Sequence, residues 1–423
     1  MEIPTKRENS TNMIALMLLV TFFVMYTPTW AGLCQSGAAN NAVWVDAPPY
    51  NADPSGETDS TLAFNAATQA ACGPTGNALH KTVCIGAGNY VLNGMWNLNG
   101  LVNCDIEGQG AGGGSGPDIT VINLRGPWGI DLVGTARYQI NGITFNCFNF
   151  GCAFLAKCDG TTNCPDNGSP ENGLFGTFKD DTWNLKGQNS YGIYDFGGEQ
   201  LVFSLNQFNQ GASGGPLMVF TSTSSAGYTT GPSGENLRTA NSDPKITTTH
   251  IVIADSSFGI AKGVGILFDQ GNNVVQGPST LQNYVIREPY VHLGGQYTAF
   301  IGDQGGTNYL QSIHIENVQV ENVCPTCTAE NPSNAEVVHF NNPGGLYDFA
   351  LTGNFSMVTG VHCATPTIGL SPASSVVYIS GYGDPQHICR GQCVPYVTGL
   401  TFGTMVNDNF FVSPVVFPGL ACS

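Results

Sequence analysis

Positive charge is scarce in this sequence. Lys and Arg together number 13, against 30 Asp and Glu, and the formal net charge is −17. Proteins bind nucleic acid largely by using Lys and Arg to replace the counterions of the phosphates, so an acidic surface is repelled. The composition therefore predicts that nucleic acid is not a partner.

Long apolar runs are scarce as well, and the one candidate lies near the start of the chain. Met13 to Tyr26 is a run of fourteen mostly apolar residues, which is shorter than the ~20 residues that a spanning helix requires. Lys6 and Arg7 precede this run, and Thr29-Trp30-Ala31 has the small-x-small pattern of a cleavage site. We predict a signal peptide over residues 1–31, a secreted extracellular protein, and no membrane span after cleavage.

Glycine and proline, by contrast, are plentiful. The 55 glycines and 24 prolines favour many short strands joined by turns over long helices. Leu281–Val291 aligns without gaps with Leu310–Val320, 29 residues later, and the apolar residues keep the same register. A repeat of this length suits one coil of a stack of strands. We predict one elongated repeat domain over 32–423, with a loop excursion rich in Ser, Thr and Gly over 213–244.

An ordered set of motifs lies between residues 43 and 124. Gly56–Thr61 begins a helix, Val83–Tyr90 forms a strand around a glycine turn, and Ile106–Gly110 (Ile-Glu-Gly-Gln-Gly) follows. In this order the motifs resemble the opening of the pectate-lyase-like superfamily. The resemblance implies an all-β fold, a single-stranded right-handed parallel β-helix, with an N-terminal capping region over 43–92. It implies no single activity, because one fold can carry several chemistries.

The capping region contains one predicted helix, Ser60–Ala71. Asp59 or Ser60 can accept hydrogen bonds from its first amides. A helix this short is marginal in water, so we expect it to be docked over the first coil, where it covers exposed strand edges. The helical spacing predicts a packing stripe of Leu62, Ala66, Gln69 and Ala70.

All 14 cysteines follow the predicted cleavage site. An even count in a secreted chain favours disulfides over free thiols. The alternative for the last two of the close pairs is a zinc site with four thiolates. The close pairs are Cys147/Cys152, Cys158/Cys164, Cys324/Cys327 and Cys389/Cys393.

An Asp or Asn before a glycine-containing turn recurs along the chain, at Asp195, Asp269, Asp303 and Asn342. Hydrolysis of a glycosidic bond uses two carboxyl groups, ~5 Å apart in retaining enzymes. Strands of neighbouring coils are ~4.8 Å apart, so equivalent positions supply such a pair. We predict that Asp269 and Asp303 lie on neighbouring coils as acid and nucleophile, with Asp195 further along the same column.

The column has two alternative interpretations. An Asp before a glycine commonly hydrogen-bonds its own backbone in a turn, and a repeated turn produces a column without any catalytic role. Calcium bound between the carboxylates would offset their mutual repulsion and is the second alternative.

Asp180-Asp181 is a further catalytic candidate, because paired Asp residues occur in the related polygalacturonase family. Trp183, two residues later, could stack on a sugar ring. The chain lacks the Asn-Thr-Asp, Gly-His-Gly and Arg-Ile-Lys motifs of that family, so its catalytic roles are not carried over. Glu199 and Arg287 complete the candidate substrate-binding residues.

The sequence thus predicts a secreted carbohydrate-active enzyme, a glycoside hydrolase that binds an extracellular polysaccharide and needs no cofactor. The net charge favours a neutral or weakly charged glycan as substrate. One alternative is a calcium-dependent polysaccharide lyase, although bases for β-elimination are few in this chain. Another is a non-catalytic glycan-binding or adhesive surface protein.

Overall fold

The computed structural model describes residue 34 and residues 41–411 apart from 74–80, 113–117, 159–174, 188–189, 212–213, 222–229, 236, 238–247, 270–279, 296–297, 305–308, 323–335, 342–344, 353–355, 360–376, 381–395, 399–402 and 407–408. The predicted signal peptide, residues 1–31, lies outside these residues. In the described part, no helix has both the length and the apolar character needed to cross a membrane.

Strands of the described chain form three sheets, and neighbouring strands within a sheet come from successive coils. Sheet A contains β1 (Ala42–Trp44), β2 (Thr82–Cys84), β5 (Val102–Glu107), β8 (Ala136–Asn141), β11 (Gly176–Lys179), β14 (Val202–Ser204), β17 (Thr248–Ala254), β20 (Thr280–Arg287), β23 (Tyr309–Glu316), β26 (Gly345–Thr352) and β29 (Tyr396–Thr398).

Sheet B contains β3 (Gly88–Leu92), β6 (Thr120–Leu124), β9 (Thr144–Cys147), β12 (Thr182–Leu185), β15 (Gln207–Asn209), β18 (Ser257–Ile260), β21 (Tyr290–Leu293), β24 (Gln319–Asn322), β27 (Ser356–Thr359), β30 (Gly403–Val406) and β31 (Asn409–Phe411). Sheet C contains β4 (Trp96–Asn97), β7 (Trp128–Val133), β10 (Gly151–Ala156), β13 (Tyr191–Phe196), β16 (Met218–Thr221), β19 (Gly263–Asp269), β22 (Thr298–Asp303), β25 (Glu336–Asn341) and β28 (Val377–Ser380).

The chain visits sheets A, B and C in turn and then starts the next coil, so each sheet is a stack of parallel strands. The last pair, β30 with β31, is antiparallel. This is the predicted right-handed parallel β-helix. The 29-residue repeat is confirmed as one coil, because Leu281 pairs with Leu310 and Val291 pairs with Val320.

The interior of the coil is filled by side chains that stack from one coil to the next. Strand alternation sends every second residue inward, and Phe145, Trp183, Phe208 and Phe258 occupy equivalent inward positions of sheet B. The Phe145 and Trp183 ring centroids are 4.3 Å apart, and those of Phe208 and Phe258 are 5.1 Å apart. Burial of such rings supplies much of the free energy of folding.

Helix α1 spans Thr61–Ala71, as predicted, with Ser60 at its N-cap. The Asp59 carboxylate accepts hydrogen bonds from the Thr61 amide and hydroxyl, so Asp59 is the capping side chain. The predicted packing stripe is wrong, because Leu62 is 83% exposed and Phe64 is fully buried. The ring of Phe64 instead meets Tyr90 and Trp96 of the first coil, which selects the opposite face of the helix.

Disulfides join Cys34 to Cys84, Cys72 to Cys104 and Cys147 to Cys152. The third of these confirms the predicted pair. The first two fasten the capping region to the early coils, and the sequence did not indicate them. The other predicted partners lie outside the described residues: Cys164, Cys324, Cys327, Cys389 and Cys393.

Candidate functional site

Asp269 and Asp303 end neighbouring strands, as predicted, but their positions are not equivalent. Asp303 pairs with Phe268, which is fully buried in the core, whereas Asp269 pairs with Thr221. Successive residues of a strand point to opposite faces, so this one-residue offset directs the two carboxyl groups to opposite faces of sheet C. The expected retaining-type separation therefore does not follow from their register.

Asp195 lies in register with Asp303, three strands away in sheet C. Phe220 and Phe268 occupy the equivalent positions of the two strands between them, so Asp269 does not belong to this column. The side chain of Asp195 is fully buried. Oδ1 accepts a hydrogen bond of 2.7 Å from the Gly198 amide, and Oδ2 has no hydrogen-bond partner. Burial raises the pKa of Asp195 to about 7. Asp195 itself points into the coil, where a polymer cannot enter.

Asp180 and Asp181 form the turn between β11 and β12. Asp180 has a φ of 54°, and Asp181 accepts a hydrogen bond of 3.0 Å from the Ile143 amide in the preceding coil. Burial raises the pKa of Asp181 well above its usual range. The turn interpretation accounts for both residues. Trp183 is fully buried in the ring stack, so its predicted contact with a sugar is wrong.

Glu199 and Arg287 lie apart from each other. Glu199 follows β13, is partly exposed and forms an ion pair with Lys157. Arg287 is exposed at the end of β20 in sheet A, where its register partners are Ala254 and Glu316. The three predicted substrate-binding residues therefore lie apart. Trp183 is in the interior, Glu199 is in the turn from sheet C to sheet A, and Arg287 is in sheet A.

The structure instead brings together two carboxyl groups that the sequence analysis missed, Asp131 and Glu235. Asp131 lies in β7 on the outer face of sheet C, and Glu235 belongs to the excursion turn, residues 231–235. Ser233 bridges them, because its hydroxyl donates to Asp131 Oδ2 at 2.7 Å and its amide donates to Glu235 Oε2 at 2.9 Å. We call these two residues the carboxyl pair.

Both members of the carboxyl pair are buried, at 0% and 2% exposure. Burial, and then the charge of Glu235, raise the pKa of Asp131 to about 8, against the lowering effect of the Ser233 hydroxyl and the Val133 amide. The raised pKa favours the protonated form of Asp131 near neutral pH. A carboxyl group that holds a proton there can serve as a proton donor.

Aromatic rings adjoin the carboxyl pair on the same face. Phe154 is the register partner of Asp131 in the next coil, and Tyr194 follows it. Their rings stack with centroids 5.5 Å apart, and Trp128 meets both edge-on. Tyr191 extends the group toward solvent, with its ring centroid 5.7 Å from that of Tyr194. Phe154, Tyr194 and Trp128 are buried, at 1%, 3% and 8% exposure, and Tyr191 is the partly exposed ring of the group. The rings are therefore placed to meet the apolar face of a sugar only where Tyr191 reaches solvent.

The carboxyl pair does not suit calcium. Hydrogen-bond donors already occupy the carboxylate oxygens, with Val133 and Ser233 on Asp131 and with Asn99 and Ser233 on Glu235. Calcium requires six to eight free oxygen ligands. Within the described residues, no group of three or more His, Cys, Asp or Glu is arranged to hold a metal ion.

One sequence signal could have indicated Asp131. It interrupts the apolar strand Trp128–Val133, and a carboxyl group in a buried strand requires a partner. The sequence carries no comparable signal for Glu235, because its position over Asp131 depends on how the excursion folds back.

Comparison with known proteins found similarity only to solved structures. No protein-family model and no curated protein matches the sequence. Among solved structures, the surface adhesin PfbA of Streptococcus pneumoniae is 11% identical over 86% of this chain and 79% of that chain, with a TM-score of 0.46. The endo-xylogalacturonan hydrolase of Aspergillus tubingensis is 12% identical over 90% and 100%, with a TM-score of 0.35.

A third similar structure is the A-module of the mannuronan C-5 epimerase AlgE6 of Azotobacter vinelandii, 13% identical over 85% of this chain and 98% of that chain, with a TM-score of 0.29. Identities this low concern the fold alone. The three parallel sheets confirm the resemblance to the pectate-lyase-like superfamily at that level, and activity has to be argued from this chain's own residues.

Proposed function

We propose that this protein acts on an extracellular polysaccharide, and that it cleaves a glycosidic bond with Asp131 as the proton donor. The observation that carries the proposal is the carboxyl pair, in which Asp131 and Glu235 are buried together and bridged by Ser233, and in which burial raises the pKa of Asp131. Glycosidases need such an acid to protonate the leaving oxygen. The similar solved structures include a polysaccharide hydrolase, which fits the same class of substrate.

The excursion turn, residues 231–235, closes this site. Ser233 and Glu235 bond to Asp131, Asn97 and Asn99 through a small set of hydrogen bonds, each worth about 1 kcal/mol net. A sugar that stacks on the rings would displace this turn. Displacement would also move Glu235 away from Asp131, from hydrogen-bond contact toward the ~5 Å or more that a carboxyl pair needs to flank a glycosidic bond.

The experiment is a screen of the mature protein against neutral and acidic polysaccharides, with reducing ends and ultraviolet absorbance read together. We expect new reducing ends without an ultraviolet signal from unsaturated products, which a lyase would release. Asp131→Asn and Glu235→Gln should each lose at least about a hundredfold in rate, the usual scale for a positioned acid or base. Asp118→Asn removes an exposed carboxyl group and is the matched control.

The same assay tests Asp269 and Asp303, the pair predicted from the sequence, although their register directs the two carboxyl groups to opposite faces of sheet C. Their strands are neighbours, and Asp269→Asn and Asp303→Asn belong in the same assay. A hundredfold loss in these variants, with full activity in Asp131→Asn, would transfer the catalytic role to them. A turn role instead predicts near-normal rates, because Asn satisfies much the same turn geometry.

Binding without cleavage is the second candidate function, and the burial of the carboxyl pair favours it. A proton donor must come within about 3 Å of the atom that it protonates, and neither member is exposed above 2%. If a polysaccharide binds the protein but neither reducing ends nor unsaturated products form, the protein is a glycan-binding surface protein.

A further inference from the structure

The turns that join sheet B to sheet C present aromatic rings to solvent. In the third coil this turn is closed by the Cys147–Cys152 disulfide. Phe148 and Phe150, which lie inside this short loop, are 39% and 42% exposed, while most rings of the chain are buried. The Phe150 ring packs against Trp128 and Tyr191, whereas the Phe148 ring has a cation as its neighbour.

Two cations flank the exposed ring of Phe148. The Phe148 amide donates to the Leu124 carbonyl at 3.0 Å, and the Lys186 amide donates to the Cys147 carbonyl at 2.8 Å. These bonds place Arg125 one coil before Phe148 and Lys186 one coil after it. The Arg125 guanidinium lies 5.9 Å from the ring centroid of Phe148, within the range of a cation–π contact.

Main-chain bonds between coils hold this arrangement in one geometry. The Phe150 amide donates to the Pro127 carbonyl at 3.1 Å, and the Tyr191 amide donates to the Phe150 carbonyl at 2.8 Å. A side chain at Gly187 would overlap the Phe148 carbonyl, so the neighbouring turn approaches as closely as glycine allows. A surface ordered in advance loses little entropy when a ligand binds.

A ladder of asparagine amides runs beside this turn on the outer face of sheet B. Each amide donates to the amide oxygen of the preceding coil, at 3.1 Å from Asn146 to Asn123, 3.0 Å from Asn184 to Asn146 and 2.9 Å from Asn209 to Asn184. Asn123 continues the chain of bonds to Asn89. Asn123 already uses both of its N–H donors, on Asn89 and on the Tyr90 carbonyl, whereas Asn146 and Asn184 each keep a second donor and a second lone pair for a ligand hydroxyl.

The ladder and the turn residues form one surface. Asn123, Asn146 and Asn184 each lie two residues before Arg125, Phe148 and Lys186 respectively, and residues i and i+2 of a strand face the same side. We call these six residues the amide face. Coils repeat every ~4.8 Å, so Arg125 and Lys186 are separated by two coils, roughly 10 Å, with the Phe148 ring between them.

Charge on this side of the molecule differs from the charge of the whole chain. The described outer positions of sheet B from β3 to β21 include no Asp or Glu. Nearby exposed acidic residues precede the opposite ends of the strands, at Asp118, Asp180, Asp255 and Glu288. Salt screens charges beyond ~10 Å, so a ligand at the amide face meets Arg125 and Lys186 rather than the net charge of −17.

We propose that the amide face binds an acidic polysaccharide, separately from the carboxyl pair. Carboxylates of the polymer would meet Arg125 and Lys186, a sugar ring would stack on Phe148, and hydroxyl groups would bond to the asparagine ladder. A neutral glycan would leave both cations unused. The net charge of the chain favours a neutral substrate, whereas the local charge of this face favours an acidic one.

The test uses the mature, oxidised protein and two polymers with the same backbone: polygalacturonate, and its fully methyl-esterified form, which has no charge and one added methyl group on each sugar. We expect polygalacturonate to bind and the ester to bind at least tenfold more weakly, because the ester has no carboxylate for Arg125 and Lys186 to bind by charge-assisted hydrogen bonds. Arg125→Gln and Lys186→Gln should each weaken polygalacturonate binding about tenfold, and Phe148→Ala by a similar factor. Added salt should weaken binding further.

Arg137→Gln is the matched control, because Arg137 is exposed on sheet A, away from the amide face. Equal binding of the two polymers, or a loss in Arg137→Gln equal to that in Arg125→Gln, would overturn the proposal. Unchanged thermal unfolding of each variant excludes misfolding as the cause of a loss. This assay measures binding and the cleavage assay measures reducing ends, so a failure of the cleavage proposal does not affect the interpretation of the binding result.

Discussion

Asp195 is the residue at which protonation and folding are most clearly connected. It is fully buried inside the coil, and burial raises its pKa from 3.8 to about 7, against the lowering effect of the Gly198 amide and of Lys157. Asp195→Asn replaces the carboxyl group with a neutral group of the same shape. The amide oxygen can still accept the hydrogen bond from Gly198. The substitution therefore removes the titration and keeps the packing.

The sign and size follow from proton linkage. Between pH 3.8 and pH 7 the folded protein holds a proton on Asp195 that the unfolded chain has released, so stability falls as pH rises through this window. The contribution is complete below pH 3.8 and is lost above pH 7. One proton over about three pH units corresponds to about 4 kcal/mol, at 1.36 kcal/mol per unit. Asp195→Asn should be more stable than the parent at pH 8 by up to that amount.

Denaturant unfolding of parent and variant at pH 4, 6 and 8, with the disulfides intact, measures this difference. The gap between the two free energies of unfolding should change by about 4 kcal/mol from pH 4 to pH 8. Asp118→Asn, which removes a surface carboxyl group, serves as control. If the two pH profiles run parallel, Asp195 is ionised inside the coil and the linkage argument fails.

Two further predictions concern stability. Trp183→Ala should lower the free energy of unfolding by about 3–5 kcal/mol, the usual range for deleting a buried aromatic ring, and a loss below about 1 kcal/mol in denaturant unfolding would contradict the stacked interior. Replacing both Cys147 and Cys152 by Ser should cost about 2 kcal/mol, because a short loop gains little entropy when it opens. The same double variant should also bind polygalacturonate more weakly than the parent. Undiminished binding would show that the Cys147–Cys152 disulfide does not position Phe148.

The local elements were largely predictable. The Gly56–Thr61 motif indicated a helix at the right place, because capping and turn chemistry depend on a few adjacent residues. The repeat between Leu281 and Leu310 indicated the coil, because equivalent positions of stacked strands share one environment. The predicted buried face of the helix was wrong. The spacing of Leu62 and Ala66 resembles a buried stripe, but only docking against the first coil decides which side of the helix is covered.

The site was less predictable, for a reason visible in Asp269 and Asp303. Their strands are neighbours, as the repeat indicated. A shift of one residue in the pairing register, however, turns a side chain to the other face of the sheet. The loops between the strands set that register. Trp183 shows the same limit, because an aromatic residue that stacks on sugars and one that fills a coil have the same sequence pattern.

By itself the sequence determined the strand repeat, the capping helix, the acidic character and the cysteine pair at Cys147 and Cys152. All of these depend on residues near one another or on a period that the chain repeats. Only the tertiary structure decided the carboxyl pair and the amide face. Ser233 meets Asp131 across 102 positions, and Arg125 and Lys186 flank Phe148 only because coils stack in register. Contacts between distant positions arise from that stacking, and no local pattern encodes them.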